Sequence, residues 1–485
     1  MRRVKIAIDP LIKARYGPEV CWTWRLLLSA MGLAWEEVPA SAAKSDIAYM
    51  AALGRTSRCR LFVRANLEAW EQRAAYRLGS VAHHDGWGHP VYEGEVRASQ
   101  QFVPVDGRLI CERDLIFDVF WLATGQEERQ WPKDKHGHFD LRGTAFQREE
   151  ALRLALGSSI GSALQQVLTN LGFTDAVPRW PDGKHAAACV SHDVDYPEVV
   201  RWLEPLRIVS RQGLRGLRAA VSVLNGHRTH WHFPSWSQME RSLKTRSAFY
   251  FVARQGSLLE YACGTPDPFY NVQSHRFRNL FKYLADEGFE IGLHASYRAF
   301  ESRERFAAEK AVLEEASGQR ICGNRHHYWH LKPEDLESTL LIHEQIGLVY
   351  DTSLAHERYA GWRRGLSWPY FPFHGQERRE LRTLQIPTVW MDDHLFGYQA
   401  QNPGDRGAVL RTLAETAAAQ AGCLLIDVHD FVFDDHLFPG WAKSYMSFLE
   451  YLVARRDFWI DTPSRIASHW IDRCSLLRQS SLGLT

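Results

Sequence analysis

Residues 186–195 read Ala-Ala-Ala-Cys-Val-Ser-His-Asp-Val-Asp, an apolar run that ends in two carboxylates separated by one residue. Ala186 to Val190 is short, continuous and preceded by turn residues, which predicts a strand buried on both faces in a parallel sheet or barrel. Side chains alternate along a strand, so Asp193 and Asp195 leave the backbone on one side while His192 and Val194 point away. Paired acids at the carboxyl end of such a strand stand where α/β barrels build their active sites. Two like charges that close repel, and a cation beside them resolves the repulsion. The bland alternative is a solvated loop that carries acids by chance.

The pattern recurs along the chain. Apolar runs at Ala248 to Val252, Glu290 to Leu293, Leu348 to Tyr350 and Leu424 to Val428 alternate with helical stretches at Phe277 to Glu287, Phe306 to Ala316 and Leu410 to Ala421. Repeated β-then-α units predict a (β/α) barrel. Three more segments end in residues able to hold a metal or move a proton: Glu290-Ile-Gly-Leu-His294, Gly323-Asn-Arg-His-His-Tyr-Trp-His330 and Leu424-Leu-Ile-Asp-Val-His429. A lone histidine is more often structural than a ligand. Strand ends of a barrel converge, so four segments delivering Asp or His are far more specific together than apart.

At 485 residues the chain exceeds one ordinary core, and two domains are expected. Before the barrel, strand signals at Val4 to Ile8, Asp46 to Met50 and Leu61 to Val63 alternate with helical ones such as Val20 to Met31, an α/β pattern. An apolar, aromatic stretch follows at Asp114 to Leu122, then polar turn material at Pro132 to Gly137 and a helix expected from about Ala151 to Leu171. Gly172 to Lys184 concentrates Pro, Gly and Asp and reads as the junction between a smaller α/β domain, 1–175, and the barrel, 185–472. No motif in the first domain assigns it a role.

Lys plus Arg number 58 against 57 Asp plus Glu, so net charge supplies no global pull toward nucleic acid. The N-terminus lacks the apolar core of a secretory signal, and no run nears the ~18 apolar residues that cross a bilayer. Eight cysteines without a C-x-x-C pair read as free thiols, and the expected compartment is the cytoplasm. Between Arg201 and Leu224, arginines fall near helical spacing beside a partial apolar stripe. That stretch suits an anionic substrate or a membrane surface, against the commoner reading of a solvated basic helix.

In order and context the four segments resemble the motifs of the polysaccharide deacetylase family, whose domain is a distorted (β/α) barrel removing acetyl groups from acetylated sugars. The resemblance covers about Ala186 to His469. It extends to a subgroup with an extra N-terminal domain through Asp118-Val-Phe and Asp134 to Phe139, and through Tyr350-Asp-Thr-Ser and Gly361-Trp-Arg-Arg-Gly365. It implies that Asp193 is a catalytic base and Asp195 a metal ligand, that His294 is a second ligand, and that Arg325 and Tyr328 match an Arg-x-Pro-Tyr motif. It further implies that His429 is the catalytic histidine and that Val389-Trp-Met-Asp-Asp393 supplies its partner, Asp392.

Two departures stand out. The family's second motif places another histidine four residues after the first, where this chain has Arg298, and a cation cannot coordinate a cation. The third motif has His327 in place of proline, which offers the missing imidazole. Asp195, His294 and His327 then form a two-His, one-carboxylate set for a divalent metal, zinc above all. The expected chemistry is hydrolysis of an acetylated sugar or polysaccharide. Arg325 would hold Asp193 ionised, and Tyr328, Trp329, Trp362, Trp368 and Arg363 are candidates for contacting the sugar. Two rivals remain: a degenerate deacetylase retained as a sugar binder or scaffold, and a glycosyltransferase using Asp193-Val-Asp195 as its D-x-D. The last does not require His294, His429 or Arg325 near the acids.

Overall fold

The computed structural model describes the chain apart from residues 1, 42–43, 54–57, 77, 79–80, 85–89, 93–101, 130, 135, 142–151, 199–203, 227–229, 258, 260–266, 393, 395–402, 436–437 and 483–485. The N-terminal part carries strands β1 (Val4–Ile8), β2 (Trp35–Val38), β3 (Ile47–Met50), β4 (Leu61–Arg64), β5 (Val81–His84), β6 (Pro90–Tyr92), β7 (Phe102–Val105) and β8 (Arg108–Cys111). Six of them form a sheet in the order β2-β1-β3-β4-β8-β7, parallel except for the β7–β8 hairpin. β5 and β6 pair separately. The helix Pro10–Met31 starts where the Asp9 carboxylate accepts the N–H groups of Leu11 and Ile12, and it stops at Gly32, whose φ of 78° suits a residue without Cβ. The aromatic stretch is the buried helix Leu115–Ala123, and the helix expected from 151 runs from Leu156 to Asn170.

The second part carries β9 (Ala186–Val194), β10 (Ala248–Phe251), β11 (Glu290–Ala295), β12 (Gly323–His326), β13 (Tyr350–Asp351), β14 (Phe373–His374), β15 (Arg379–Glu380), β16 (Leu384–Gln385), β17 (Thr388–Met391), β18 (Cys423–Asp427) and β19 (Phe458–Ile460). Its strand order is β16-β13-β12-β11-β10-β9-β18-β17, all parallel, so the last strands return to lie beside the first. This is a (β/α) barrel with a seam. Among the described residues no ladder joins β16 to β17. Only Ile386 and Pro387 separate the two strands, too few for the crossover that a parallel pair needs. β9 is long enough to pair with β10 along its carboxyl half and with β19 along its amino half.

Every residue of β9 is buried, as an apolar run with both faces covered requires. Period-two alternation then sorts its polar residues. His192 faces the surrounding helices, with Nε2 2.8 Å from Glu240 Oε1 and Nδ1 2.9 Å from the Val428 carbonyl. Ser191 and Asp193 face inward, where each accepts a hydrogen bond from Arg325. Tyr250 and Tyr350 fill the barrel beneath them, their hydroxyls 2.9 Å apart. A Cβ on Gly292 or Gly323 would overlap these rings, which accounts for glycine at both positions.

The irregular stretch after Leu171 falls at the expected junction, but the two parts are not insulated. One apolar core runs from Ile6, Trp24 and Phe120 of the first part to Tyr250, Tyr350 and Trp368 of the second. The C-terminal helix Pro463–Leu482 runs past the expected boundary at 472, and its Arg473 donates to the Ser29 and Ala30 carbonyls. The described cysteines are free, and Cys263 lies outside the described residues.

Candidate active site

The four segments converge at the carboxyl end of the barrel. Asp195 follows β9, His294 lies near the end of β11, His327 follows β12 and His429 follows β18. Asp195 Oδ1 lies 3.4 Å from His294 Nε2 and 3.4 Å from His327 Nε2, and the ligand atoms of the three residues fall within 4.8 Å of one another. The opposite nitrogens are tied down. His294 Nδ1 donates to the Arg325 carbonyl at 2.9 Å, and His327 Nδ1 lies 3.3 Å from Asp267 Oδ1. Each Nε2 is therefore the nitrogen left to face a cation, the pairing that metal-binding histidines use.

Asp195 Oδ1 and His327 Nε2 are buried without a hydrogen-bond partner in the protein. Buried polar atoms are rarely left so, and a divalent cation between them would satisfy both. Without a cation, burial lowers the His327 pKa while Asp195 and Asp267 raise it more, to about 10. A proton then sits where the metal would. Burial likewise pushes the Asp195 carboxyl up, and His327, His294 and His429 pull it well below the usual carboxylate range. The group fits the residues: two imidazoles and a carboxylate, charge-poised for a cation.

Beside this set lie two hydrogen-bonded acid–base pairs. Burial raises Asp193, but Arg325 Nη1 at 2.8 Å outweighs it and holds the carboxyl below its ordinary value. The same Nη1 lies 2.6 Å from Asp427 Oδ1, and the Arg325 guanidinium also bonds Ser191 and Thr352. Burial drives Asp427, the second acid on Arg325, well above the carboxylate range. Across the cluster, His429 Nδ1 is 2.9 Å from Asp392 Oδ1, and the His429 backbone N–H donates to Asp392 Oδ2 at 2.8 Å. Burial lowers His429, and Asp392 with Asp195 raises it well above the ordinary imidazole value. Its Nε2 lies 3.6 Å from Asp195 Oδ2.

Arg298 turns to solvent, its Nε 2.6 Å from Glu301 Oε1, and does not enter the cluster. Of the five candidates for contacting sugar, Tyr328 alone is exposed, at 41%. Trp362 and Trp368 are fully buried core residues, and the Trp362 indole N–H is directed at the Cys423 carbonyl, so neither presents a face to a ligand. Arg363 is also buried and forks onto Glu128 at 3.1 and 2.8 Å, away from the cluster. Trp329 is 5% exposed. Aromatic or basic character in a sequence does not reveal burial of this kind.

The residues that the sequence reading missed are acids. Asp427 shares Arg325, Asp267 backs His327, and Asp430, next to His429, is held well above the carboxylate range by burial and by Asp195. The placement of the N-terminal segment from Asp134 to Phe139 was not read either. Asp134 accepts the N–H groups of His136 and His138, and both histidines reach the barrel rim. There His136 Nδ1 lies 2.7 Å from Tyr297 Oη, its ring stacks on Tyr328 with centroids 5.2 Å apart, and His138 Nε2 lies 3.1 Å from the Tyr328 carbonyl. Tyr328 and Trp329 both hold positive φ, 59° and 48°, a strained pair of non-glycine residues beside His327.

A scan against models of protein families finds none that matches, and a search of curated proteins finds none either. Solved structures do show likeness. Two structures assigned as polysaccharide deacetylases, from Mycobacterium smegmatis and Pseudomonas aeruginosa PAO1, are each 17% identical with TM-scores of 0.40. They cover 61% and 62% of this chain, and 93% and 96% of their own. A CE4 family pseudoenzyme from Bacillus anthracis is 8% identical with a TM-score of 0.31, covering 59% of this chain and 66% of its own. These are likenesses, and the fold itself stands on the strand order given above.

Proposed function

We propose that this chain is a metal-dependent hydrolase that removes an acetyl group from an acetylated sugar or polysaccharide. One observation carries the reading: a two-His, one-carboxylate set with orphaned ligand atoms is flanked by the hydrogen-bonded pairs Asp193–Arg325 and His429–Asp392. Hydrolysis of an acyl group needs that division of labour, a base on one side and an acid on the other. A glycosyltransferase D-x-D would need none of the three partners, so their convergence favours the hydrolase. Turned to solvent, Arg298 leaves room for His327 to act as the third ligand, which weighs against a degenerate site.

Asp195, His294 and His327 would hold the cation, zinc by donor type. When bound it supplies Lewis acidity toward an acyl oxygen and lowers the pKa of water. Asp193 accepts the proton of the attacking water, and Arg325 keeps that carboxylate ionised and aimed. His429, charged because Asp392 holds its Nδ1 proton, donates from Nε2 to the departing amine or alkoxide. Tyr328, exposed at the rim, faces the sugar, with the N-terminal segment behind it.

Elemental analysis of the purified full-length protein, supplied with zinc, tests the site. Near-stoichiometric metal is expected in wild type and in Arg298→Ala. Asp195→Ala, His294→Ala and His327→Ala should lose it, with acetate release from acetylated saccharides falling by roughly 10³-fold, the few kcal/mol that a Lewis acid contributes. A folded wild type that takes up no metal would overturn the reading.

A further inference from the structure

We propose that the helical hairpin inserted after β9 docks the protein on an anionic lipid surface. The hairpin comprises the helices Glu204–Gln212 and Leu217–Leu224, joined by the turn Gly213–Gly216. It lies in the connection that follows Asp195, at the end of the barrel where the His and Asp cluster is built.

Ile208, Ala219, Ala220 and Val223 face inward and form a little core of their own. A second set of apolar residues faces outward. Leu217, Val221 and Leu224 recur at spacings of four and three, which places them on one stripe of the second helix, 47%, 52% and 54% exposed, and Leu214 in the turn before it is 84% exposed. Leu206 adds to the exposed set at 65%. Single exposed leucines need no explanation, but a contiguous apolar stripe marks an interaction surface.

Charge selects the partner. Arg215 and Arg218 each stand one residue past an exposed leucine, Leu214 and Leu217, and by sequence the segment 201–228 holds six arginines against the single acid Glu204. Arg215 and Arg218 are exposed and make no ion pair among the described residues. A basic row beside an apolar stripe is the arrangement with which interfacial helices meet acyl chains and anionic headgroups at once. A second copy of the chain fits poorly, because pairing the stripes would bring the basic rows together without acids to offset them. No helix among the described residues is long and apolar enough to cross a membrane, so the contact is peripheral.

The test uses the full-length protein and phosphatidylcholine vesicles with and without about one-third phosphatidylglycerol. Co-sedimentation with the anionic vesicles alone is expected, weakened at ~1 M salt, where screening shortens to about 3 Å. The Leu214→Ser/Leu217→Ser/Val221→Ser variant and the Arg215→Gln/Arg218→Gln variant should each lower the bound fraction roughly fivefold or more, with metal content unchanged. Should the serine variant misfold, the arginine variant carries the test, because its changes are confined to exposed side chains. Wild type that stays in solution with every vesicle, or binding unchanged in the arginine variant, overturns the proposal. So does a concentration-dependent dimer that the serine variant dissolves, which would assign the stripe to a second copy. None of these outcomes depends on whether the barrel hydrolyses an acetyl group.

Discussion

Arg325 and Arg363 both lie buried against carboxylates, yet their surroundings differ. Arg363 belongs to the seam between the two parts of the chain, where its Nε and Nη2 meet both oxygens of Glu128 and its Nη1 bonds the Ala355 carbonyl. Arg364 Nη2 reaches the same carboxylate at 3.4 Å, so one acid there meets two guanidiniums. Arg325 faces Asp193 and Asp427 with the same nitrogen, and next to them Asp195 Oδ1 and His327 Nε2 are left unanswered. Excess guanidinium around an acid leaves nothing that a cation could fill, whereas an unpartnered carboxylate oxygen beside an unpartnered imidazole nitrogen, costly to leave in the interior, draws in a proton or a cation. The contrast separates an ion pair that joins two parts of a fold from one that, on the proposed reading, prepares a base.

Removing the base breaks the comparison most sharply. Asp193→Asn should lower acetate release by roughly 10²- to 10⁴-fold while zinc stays bound, because the residue moves a proton and leaves the three ligands intact. In wild type, Asp193 is held below the ordinary carboxylate value and His429 above the ordinary imidazole value. Activity should therefore be flat through neutral pH, fall on the acid side as Asp193 takes up a proton, and fall on the alkaline side as His429 loses one. Asp392→Asn should bring the alkaline limb down in pH, and an unmoved limb would assign it to another group.

At the seam the effect should be on stability. Glu128→Gln leaves Arg363 buried without its counter-charge and should cost about 3–5 kcal/mol in denaturant unfolding, with the folded fraction still binding metal. Burial raises Glu128, while Arg363 and Arg364 bring it down to about 2. A depressed carboxylate stabilises above its unfolded value of roughly 4.3, and that contribution is lost as pH falls toward 2. Wild type should lose stability through this acid window more steeply than Glu128→Gln.

Asp267→Asn probes the carboxylate behind His327. It should weaken metal binding by roughly 10- to 100-fold without abolishing it, measured by competition with a chelator, since the imidazole stays but loses the group that orients it. Equal affinity in variant and wild type would limit Asp267 to its other bonds, with Arg254 and the Tyr297 N–H.

Asp193, Asp195, His294, Arg325, His327 and His429 were legible because each lies at or just past the end of a buried strand, where alternation and convergence constrain direction. The alternation that pairs Asp193 with Asp195 applies equally to Asp427 and His429, so Asp427 was within reach of the same reasoning. Asp267 was not, because it lies in an irregular stretch with no period to read. The burial of Trp362, Trp368 and Arg363 was not legible for a different reason: composition says what a side chain can touch, and only the fold says which side of the backbone is covered. The shared core was hidden likewise, since the turn-rich linker marks where the chain crosses and carries no record of the apolar faces that meet beside it.

The smallest effect is expected where the N-terminal segment meets the barrel. Asp134 bends the chain so that His136 lies between Tyr297 and Tyr328, bonding one and stacking on the other, and Tyr328 is held in a strained left-handed conformation. A strained, exposed residue keeps one position only if neighbours hold it there, and His136 is the neighbour that covers its ring. Ring contacts of this kind contribute about 0.5–1.5 kcal/mol, so His136→Ala should raise KM for the saccharide roughly two- to tenfold. The metal set and both acid–base pairs lie beneath that contact, so kcat, metal content and both pH limbs should hold. A fall in kcat with KM unchanged would place His136 in the chemistry, and no change in either constant would reduce the segment to a clasp between the two parts of the chain.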